Sequence, residues 1–560
     1  MRAARHAATL KPAQRAELHR TLRRVFGLKR LRAGQEAVIA NVLARRPTLA
    51  ILPTGAGKSL CYQLPALALP GRTVIVSPLI SLMKDQVDKL AQAGVHAVAV
   101  NSALSASDLA DALRTVKENE SDFVFTTPER LADPEFLELL KGHAVDLLVV
   151  DEAHCISQWG HDFRPAFLEV GAAHRALGSP PVLALTATAN ERVVEDIGRQ
   201  LGVDLDVIST SVYRENLHFR VRPTTSEDER MARAVEHIRR TPGSGIVYTA
   251  TVKAAEQLHA QLQAVGESSA LYHGRLPSAR RHDEQDAFME GSCRVMVATN
   301  AFGLGIDKSD IRFVLHFQLP PGLDAYYQEA GRAGRDGEPA DCTLIFFHQD
   351  RRLRQFLQAG RYPTVDDVLA VLAALRDSDR LHSPMTARQL ANSVPVPLTK
   401  VQVALQLLKE GGVVRQNRRR ELQLCAGGVD DDTVRTWADE YRDRDERDRA
   451  ALERMVFYAQ TGFCRWKVLL EHFGEGEGFD RCGRCDNCIS PPLRRLTPPK
   501  RRLTTRPPPP RTPYRPGDYA QVQRYGLGRV IAANAGSVTL EFPDGTRRDF
   551  VPRFVRRAGK

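Results

Sequence analysis

Short apolar runs alternate with longer amphipathic stretches along the first 350 residues. Thr48-Leu49-Ala50-Ile51, Thr73-Val74-Ile75-Val76-Ser77, residues 96–100, residues 123–127, Leu147-Leu148-Val149-Val150 and Leu183-Ala184-Leu185 each read as a buried strand. Residues 19–43 read as basic and helical before the first of them. Strands alternating with helices predict a doubly wound parallel sheet, with ligands gathering at the carboxyl ends of its strands. After a connector near residues 205–218 the pattern resumes with Gly245-Ile246-Val247-Tyr248-Thr249, Leu271-Tyr272-His273-Gly274, Cys293 to Thr299, and Phe313 to Phe317. A second parallel unit is therefore expected.

Chemistry-bearing residues sit where these runs end. Ile51 leads into Leu52-Pro53-Thr54-Gly55-Ala56-Gly57-Lys58-Ser59, and Leu60 to Leu64 can open a helix. Strand, glycine loop and helix is the context of a phosphate loop, whose backbone N–H groups point at phosphate oxygens. Lys58 then meets the β- and γ-phosphates and Ser59 holds Mg²⁺. Val150 leads into Asp151-Glu152-Ala153-His154. A carboxylate at a strand tip can hold that metal, and a second beside it can orient and deprotonate water. The loop that follows carries Trp159, His161, Phe163 and Arg164. Aromatic faces stack on unpaired bases and arginine holds phosphate, although such a cluster also serves as a buried anchor. Thr186 and Thr188 offer hydroxyls to the γ-phosphate side. In Tyr326 to Gly337, Arg332 and Arg335 are three apart and read as one helical face aimed across a cleft as arginine fingers. Gln35, just upstream of the phosphate loop, is an amide able to both donate to and accept from an adenine edge.

Composition adds partners and compartment. At 560 residues the chain exceeds one core, and about three to five domains are expected. Its net charge of +12 is concentrated at the ends. Residues 491–560 hold 16 Lys/Arg against 4 acids, and residues 1–50 hold 12 against 2, over a mildly acidic middle. Basic ends suggest a polyanion, nucleic acid first, with solvated tails as the plain alternative. No apolar run reaches the roughly 18 residues that span a bilayer, so no membrane partner and a cytoplasmic location (the nucleoid, in a bacterium) are expected.

With these residues in view, the chain resembles the RecQ-like DNA helicases of superfamily 2 across residues 26–348. Asp151 to Pro165 looks like that family's Walker B box and aromatic-rich loop, and Tyr326 to Gly337 like its last motif. The resemblance implies two RecA-like lobes with ATP between them, 3′-to-5′ movement on single-stranded DNA and separation of a forked duplex in repair or recombination. It implies that Arg32 and Gln35 read adenine, that Thr54, Gly55, Gly57, Lys58 and Ser59 bind nucleotide, and that Ser59 and Asp151 hold magnesium. Glu152 is then the base. Gln328, Arg332 and Arg335 sense the γ-phosphate, and Trp159, His161, Phe163 and Arg164 couple DNA to hydrolysis. Where the family usually carries an aromatic, this chain has Leu28. A DNA-stimulated ATPase that translocates or remodels protein–DNA complexes without net unwinding is the alternative reading.

Of nine cysteines, five are scattered and four form Cys464-x17-Cys482-x2-Cys485-x2-Cys488. Thiolates at this spacing fit a closed, structural tetrahedral Zn²⁺ site, with Cys464 at the start of a helix. The module resembles the family's zinc module, but residues 351–430 intervene before it. There, two short helices and a hairpin from Val413 to Leu424, tipped by Asn417-Arg418-Arg419-Arg420, make a winged-helix candidate. Pro507 to Pro510 marks an extended linker, and Pro543-Asp544-Gly545-Thr546 a hairpin in a compact all-β end. The expected fold class is α/β. The expected division is a first RecA-like lobe at 1–208 and a second at 209–350, then a helical, winged-helix-like segment at 351–430. A zinc module at 431–490, a Pro/Arg-rich linker at 491–513 and a small SH3-like β barrel at 514–560 complete it. The barrel is expected to hold nucleic acid through Arg547, Arg548 and Arg553, or a protein partner.

Overall fold

The computed structural model describes residues 8–157, 165–303, 308–359, 363–380, 385–417, 421–425, 429–491, 513–523, 525–534 and 536–558. The apolar runs of the first lobe become strands β1 (Thr48–Ile51), β2 (Arg72–Val76), β3 (Ala97–Val100), β4 (Phe123–Thr126), β5 (Val145–Val150) and β6 (Val182–Thr186). An edge strand β7 (Asp206–Ser209) completes an all-parallel sheet ordered β3-β4-β2-β5-β6-β1-β7. Alternate residues of each strand face opposite sides. Leu49, Val74 and Leu148 enter one core and Ala50, Ile75 and Leu147 the other, each covered by helices. This two-sided burial explains why the strands read as continuous apolar runs.

The second sheet contains β8 (Leu217–Thr224), β9 (Ser244–Tyr248), β10 (Ser269–Tyr272), β11 (Val295–Ala298), β12 (Ile311–His316) and β13 (Ala340–Phe347), ordered β10-β11-β9-β12-β13-β8. Every pairing in it is parallel. Only the two ends of the expected connector are strand, in β7 and the start of β8. The segment from Val212 to Asn216 remains irregular, and it lies against the cysteine-bearing module.

That module is built into the second lobe. The long helix Asp431–Gln460 leads to the helix Arg465–His472, and their apolar faces share one core with β8, β13 and the helix Leu323–Ala330. Trp466 is fully buried, with its indole N–H donating to Leu217 O at 3.2 Å. β8 is an edge strand, and an exposed edge is a liability. Here the Asp486 carboxylate accepts from the Val221 N–H at 2.9 Å and from the buried Arg465 guanidinium at 2.9 and 3.1 Å.

Residues 385–417 and 421–425 form two helices and a three-stranded sheet, consistent with the winged-helix expectation. β14 (Met385–Thr386) leads into the helices Ala387–Ser393 and Leu398–Glu410, and then into β15 (Val414–Gln416) and β16 (Glu421–Leu424). The sheet is antiparallel and ordered β14-β16-β15. The arginines of the wing tip lie outside the described residues.

The C-terminal strands are β17 (Tyr519–Val522), β18 (Gly526–Ala533), β19 (Val538–Glu541), β20 (Arg547–Phe550) and β21 (Arg556–Arg557). They form an antiparallel sheet ordered β20-β19-β18-β17-β21 around Tyr514, Ala520, Val530, Leu540 and Val555, consistent with a small barrel. Arg547 does not serve the surface role expected of it. It is buried and pairs with the fully buried Glu541 at 2.8 Å, a position that satisfies a carboxylate rather than a phosphate. Arg548 lies over the Tyr525 ring at 4.6 Å and Arg553 over Phe554 at 4.8 Å. The barrel touches the second lobe through Asn534, whose amide donates to Thr225 O at 2.6 Å. Among the described residues no helix is long and apolar enough to cross a membrane.

Removing one partner of a buried ion pair leaves the other charge uncompensated. We expect Asp486→Ala to destabilise the second lobe and cysteine-bearing module by about 3 kcal/mol. Denaturant unfolding followed by Trp466 fluorescence, in a Trp159→Phe, Trp437→Phe background, reads this as a lowered midpoint; an unchanged midpoint refutes it.

Candidate active site and zinc centre

Three neighbouring strands, β5, β6 and β1, deliver the first lobe's chemistry to one edge. Beyond β1, Leu52 N–H donates to Thr186 O at 3.0 Å, tying the phosphate loop's start to the end of β6. Gly55 and Gly57 adopt φ of +85° and +78°, backbone that L side chains rarely adopt. The loop then turns through Lys58 and Ser59 into the helix Leu60–Ala66.

Gln35 is buried at the back of this loop. Its amide nitrogen donates to Ala56 O and Gly57 O at 3.0 and 2.9 Å, and its amide oxygen accepts from Arg32 N–H at 2.7 Å. Arg32 donates to Gly55 O. Both residues therefore hold the loop's carbonyls in this structure, so a base would meet them only after these bonds open. Leu28 is exposed nearby in sequence.

Asp151 stands at the tip of β5, with Ser77 Oγ donating to it at 3.4 Å. Burial and the adjacent Glu152 charge push its carboxyl up to about 7, against the downward pull of Lys58. Glu152 sits in the left-handed region at φ 49° and opens the short helix Ala153–Ile156. A non-glycine residue there carries strain of the kind found at working sites. His154 lies 3.4 Å from Glu152 through Nδ1, which also faces Thr186 Oγ1 at 3.1 Å. The Thr186 hydroxyl donates to Thr188 O at 3.0 Å, so it accepts from a protonated His154 Nδ1. The Thr186 hydroxyl is thus engaged by His154 and Thr188 O and is not free. Trp159, His161, Phe163 and Arg164 lie outside the described residues.

The second lobe closes over this edge. Gly331, after the helix Leu323–Ala330, approaches so closely that an added Cβ would lie 3.1 Å from Thr54 Cβ and 3.0 Å from Tyr327 O. The expected helical face for Arg332 and Arg335 is not formed. The helix ends at Ala330, and Gly334 at φ 56° and Gly337 at φ 92° carry the chain into turns. The two arginines consequently diverge. Arg332 is buried in its own lobe and donates to Gly303 O, whereas Arg335 lies over the phosphate loop, its Cγ 3.1 Å from where a Gly55 Cβ would be. Gln328 is half-buried on the helix Leu323–Ala330.

One residue carried no expectation. Arg214 donates to Thr54 O at 3.4 Å in one lobe, and to Gly331 O at 2.7 Å, Ala333 O at 2.8 Å and Gly334 O in the other. Its sequence signal was only an arginine in the polar run Tyr213-Arg214-Glu215-Asn216.

The four clustered cysteines converge, with their sulfurs within 4.8 Å of one another. Cys482 Sγ lies 3.9 Å from Cys488 Sγ, and Cys485 Sγ 3.9 Å from Cys464 Sγ. Tetrahedral Zn–S bonds of about 2.3 Å place sulfurs about 3.8 Å apart, so the set fits zinc. Backbone N–H groups of Cys482, Cys485, Arg484 and Arg465 point at the sulfurs from 3.2 to 3.4 Å, which favours thiolates.

Two parallel α/β lobes facing each other across a phosphate loop, an Asp-Glu-Ala-His strand tip and an arginine-bearing turn define an ATP-driven helicase motor. Residues 32–197 match the DEAD/DEAH box helicase family, 229–337 the helicase conserved C-terminal domain, and 429–489 the RecQ zinc-binding family. An ATP-dependent DNA helicase RecQ of Bacillus subtilis is 38% identical over 477 residues, covering 84% of this chain and 67% of that protein. One from Synechocystis sp. is 34% identical over 499 residues, covering 85% and 99% respectively. The solved DUF1998 helicase MrfA bound to DNA and AMPPNP shares the fold, with a TM-score of 0.53 at 19% identity over 76% of this chain and 64% of that one. This chain belongs to the RecQ family and is an ATP-dependent DNA helicase with a zinc-binding module.

We expect metal analysis to find a single zinc ion per chain, lost in Cys485→Ala, whose sulfur is fully buried. Retained zinc in that variant would show that the four sulfurs are not the ligand set.

Proposed function

We propose that ATP binds in the crevice between the phosphate loop and the Gly331–Gly337 turn, and that its hydrolysis drives 3′-to-5′ movement along single-stranded DNA and opening of forked duplexes. The observation that carries this is the approach of Gly331 and Arg335 to Thr54 and Gly55, which sets the two lobes' charged groups on opposite sides of one narrow site. Lys58 neutralises the β- and γ-phosphates. Ser59 and Asp151 would hold Mg²⁺, which supplies further charge compensation on those phosphates. Glu152 orients and deprotonates the attacking water, and its buried Oε2 has no hydrogen-bond partner among the described residues. His154 Nδ1 lies 3.4 Å from that oxygen but directs its proton to Thr186, which leaves the carboxylate oxygen open to water.

Of the two arginines, Arg335 meets the γ-phosphate side first. Arg332 joins it after leaving Gly303 O, and Gln328 follows the same turn. Gln35 and Arg32 exchange loop carbonyls for adenine when nucleotide enters. Trp159, His161, Phe163 and Arg164 link single-stranded DNA to turnover. The substrate is single-stranded and forked duplex DNA in the cytoplasm (the nucleoid, in a bacterium), in repair or recombination, and the barrel offers a site to a protein partner.

Lys58→Ala should abolish ATP turnover while single-stranded DNA affinity stays within about threefold, because the lysine serves the transition-state charge. Surviving turnover would put the nucleotide site elsewhere. With Mg²⁺ and ATP, the parent protein should displace a strand from a fork bearing a 3′ single-stranded tail and leave a 5′-tailed partial duplex intact. Turnover stimulated by single strands without displacement on either substrate would favour the translocase reading.

A further inference from the structure

We infer that Arg214 is a positioning residue for ATP turnover, held in place by the zinc module. The inference rests on the crevice being the ATP site. The Arg214 guanidinium gathers four carbonyls from two lobes: Thr54 on the phosphate loop, and Gly331, Ala333 and Gly334 on the turn that bears Arg332 and Arg335. That turn is not a helix, so its carbonyls lack a continuous ladder, although Gly334 O also accepts from Gly337 N–H at 3.1 Å. A planar fork of five N–H donors suits this task; a lysine is a point charge with three. Asn216 reinforces it, donating to Gly334 O and Glu338 O at 2.8 Å each. Arg214 thereby fixes where Arg335 lies relative to Gly55.

The connector carrying Arg214 is gripped from behind by the zinc module. Glu475, between Cys464 and Cys482 in sequence, accepts from Val212 N–H at 3.0 and 3.2 Å and from the Ser211 hydroxyl at 2.7 Å. Tyr213 meets Trp466 edge-on, with centroids 4.9 Å apart, and packs on Phe479 at 5.2 Å. Arg484 pairs with Glu215 at 2.6 Å. From the opposite side the Tyr327 hydroxyl donates to Val212 O at 2.7 Å. A short run of backbone is thus fixed on both flanks of the arginine that reaches the site. The zinc module sets turnover by fixing the connector, in addition to any contact it makes with DNA.

The test uses the full zinc-loaded protein and the variants Arg214→Lys, Arg214→Gln and Glu475→Gln, with Lys58→Ala as control. Turnover is measured with and without single-stranded DNA, alongside zinc content and DNA affinity. Arg214→Lys should lower the DNA-stimulated kcat at least about tenfold, the loss expected for one charge-assisted bond set, with zinc content and DNA affinity unchanged. Glu475→Gln should give a smaller loss of kcat at full zinc content, non-additive with Arg214→Gln in a double-mutant cycle. A kcat within about twofold of the parent in Arg214→Lys, with Lys58→Ala inactive, overturns the role of Arg214 and leaves the ATP site standing. An active Lys58→Ala overturns the site itself. Additive losses from Glu475→Gln and Arg214→Gln overturn the link to the zinc module.

Discussion

Trp466 is packed against Tyr213, Phe219 and Tyr327, and the architecture of the second lobe depends on that contact. Burying an indole of this size is worth on the order of 5 kcal/mol by area. More important is what it joins. Phe219 belongs to the edge strand β8, Tyr327 to the helix that ends at Gly331, and Tyr213 to the connector between the lobes. One side chain of the zinc module therefore holds the edge of a sheet, a helix leading to the ATP site and the segment carrying Arg214. The zinc centre sits beneath it, with Cys464 immediately before Arg465 and Trp466. Four thiolates drawn around a metal keep that helix start fixed, so metal binding and the order of the second lobe are one folding problem.

The active site follows from strand direction. All strands of the first sheet run the same way, so β1, β5 and β6 end together and present Thr54, Asp151 and Thr186 within one edge. Short apolar strands carry few polar side chains inside the sheet, and the chemistry is displaced to the last residue of a strand or the first residues beyond it. Glu152 shows the consequence. Its backbone leaves β5 in the left-handed region so that the next residues can form the tight turn returning His154 to Thr186. Strain of about 1–3 kcal/mol at such a residue persists because β5 and β6 over-determine its position.

Much of this was legible in the chain, for physical reasons that also mark what was not. Strands buried on both faces announce themselves as apolar runs, so β1, β2, β5 and β6 were readable. β8 lacks such a run: His218, Arg220 and Arg222 alternate with Leu217, Phe219 and Val221, the period of a half-buried strand, and what the alternation does not reveal is the covering module some 250 residues away in sequence. Metal spacing is a local signal and gave the zinc ligands. Arg332 and Arg335 have helical spacing, yet the helix ends at Ala330, before both, and Gly334 in the left-handed region sends the side chains apart; spacing alone carries no backbone angle. Arg547 looked like surface charge because nothing local reveals that Glu541, its partner across the β19–β20 pairing, is fully buried. Arg214 was invisible for a related reason: its partners are backbone carbonyls, which have no sequence identity.

The displaced order of the modules has the same explanation as the stability of the second lobe. The helices Gln349–Ala359 and Val365–Arg380 both pack against the long helix Asp431–Gln460. The winged-helix segment leaves and rejoins this helical arm where Arg376 donates to Val429 O at 2.8 Å. Inserting a folded unit between ends already held together adds little closure entropy. The arm's root is unaffected: Arg230 pairs with Asp350 at 2.6 Å beneath Phe317 and Phe347, and Tyr458 meets Tyr326 in the shared core. The zinc module can therefore follow the winged helix in sequence and still contact the second lobe directly in space. The contacts reaching the ATP site arise from Glu475, Trp466 and Arg484, all beyond the insertion, so the coupling path to Arg214 is independent of where the winged helix is inserted.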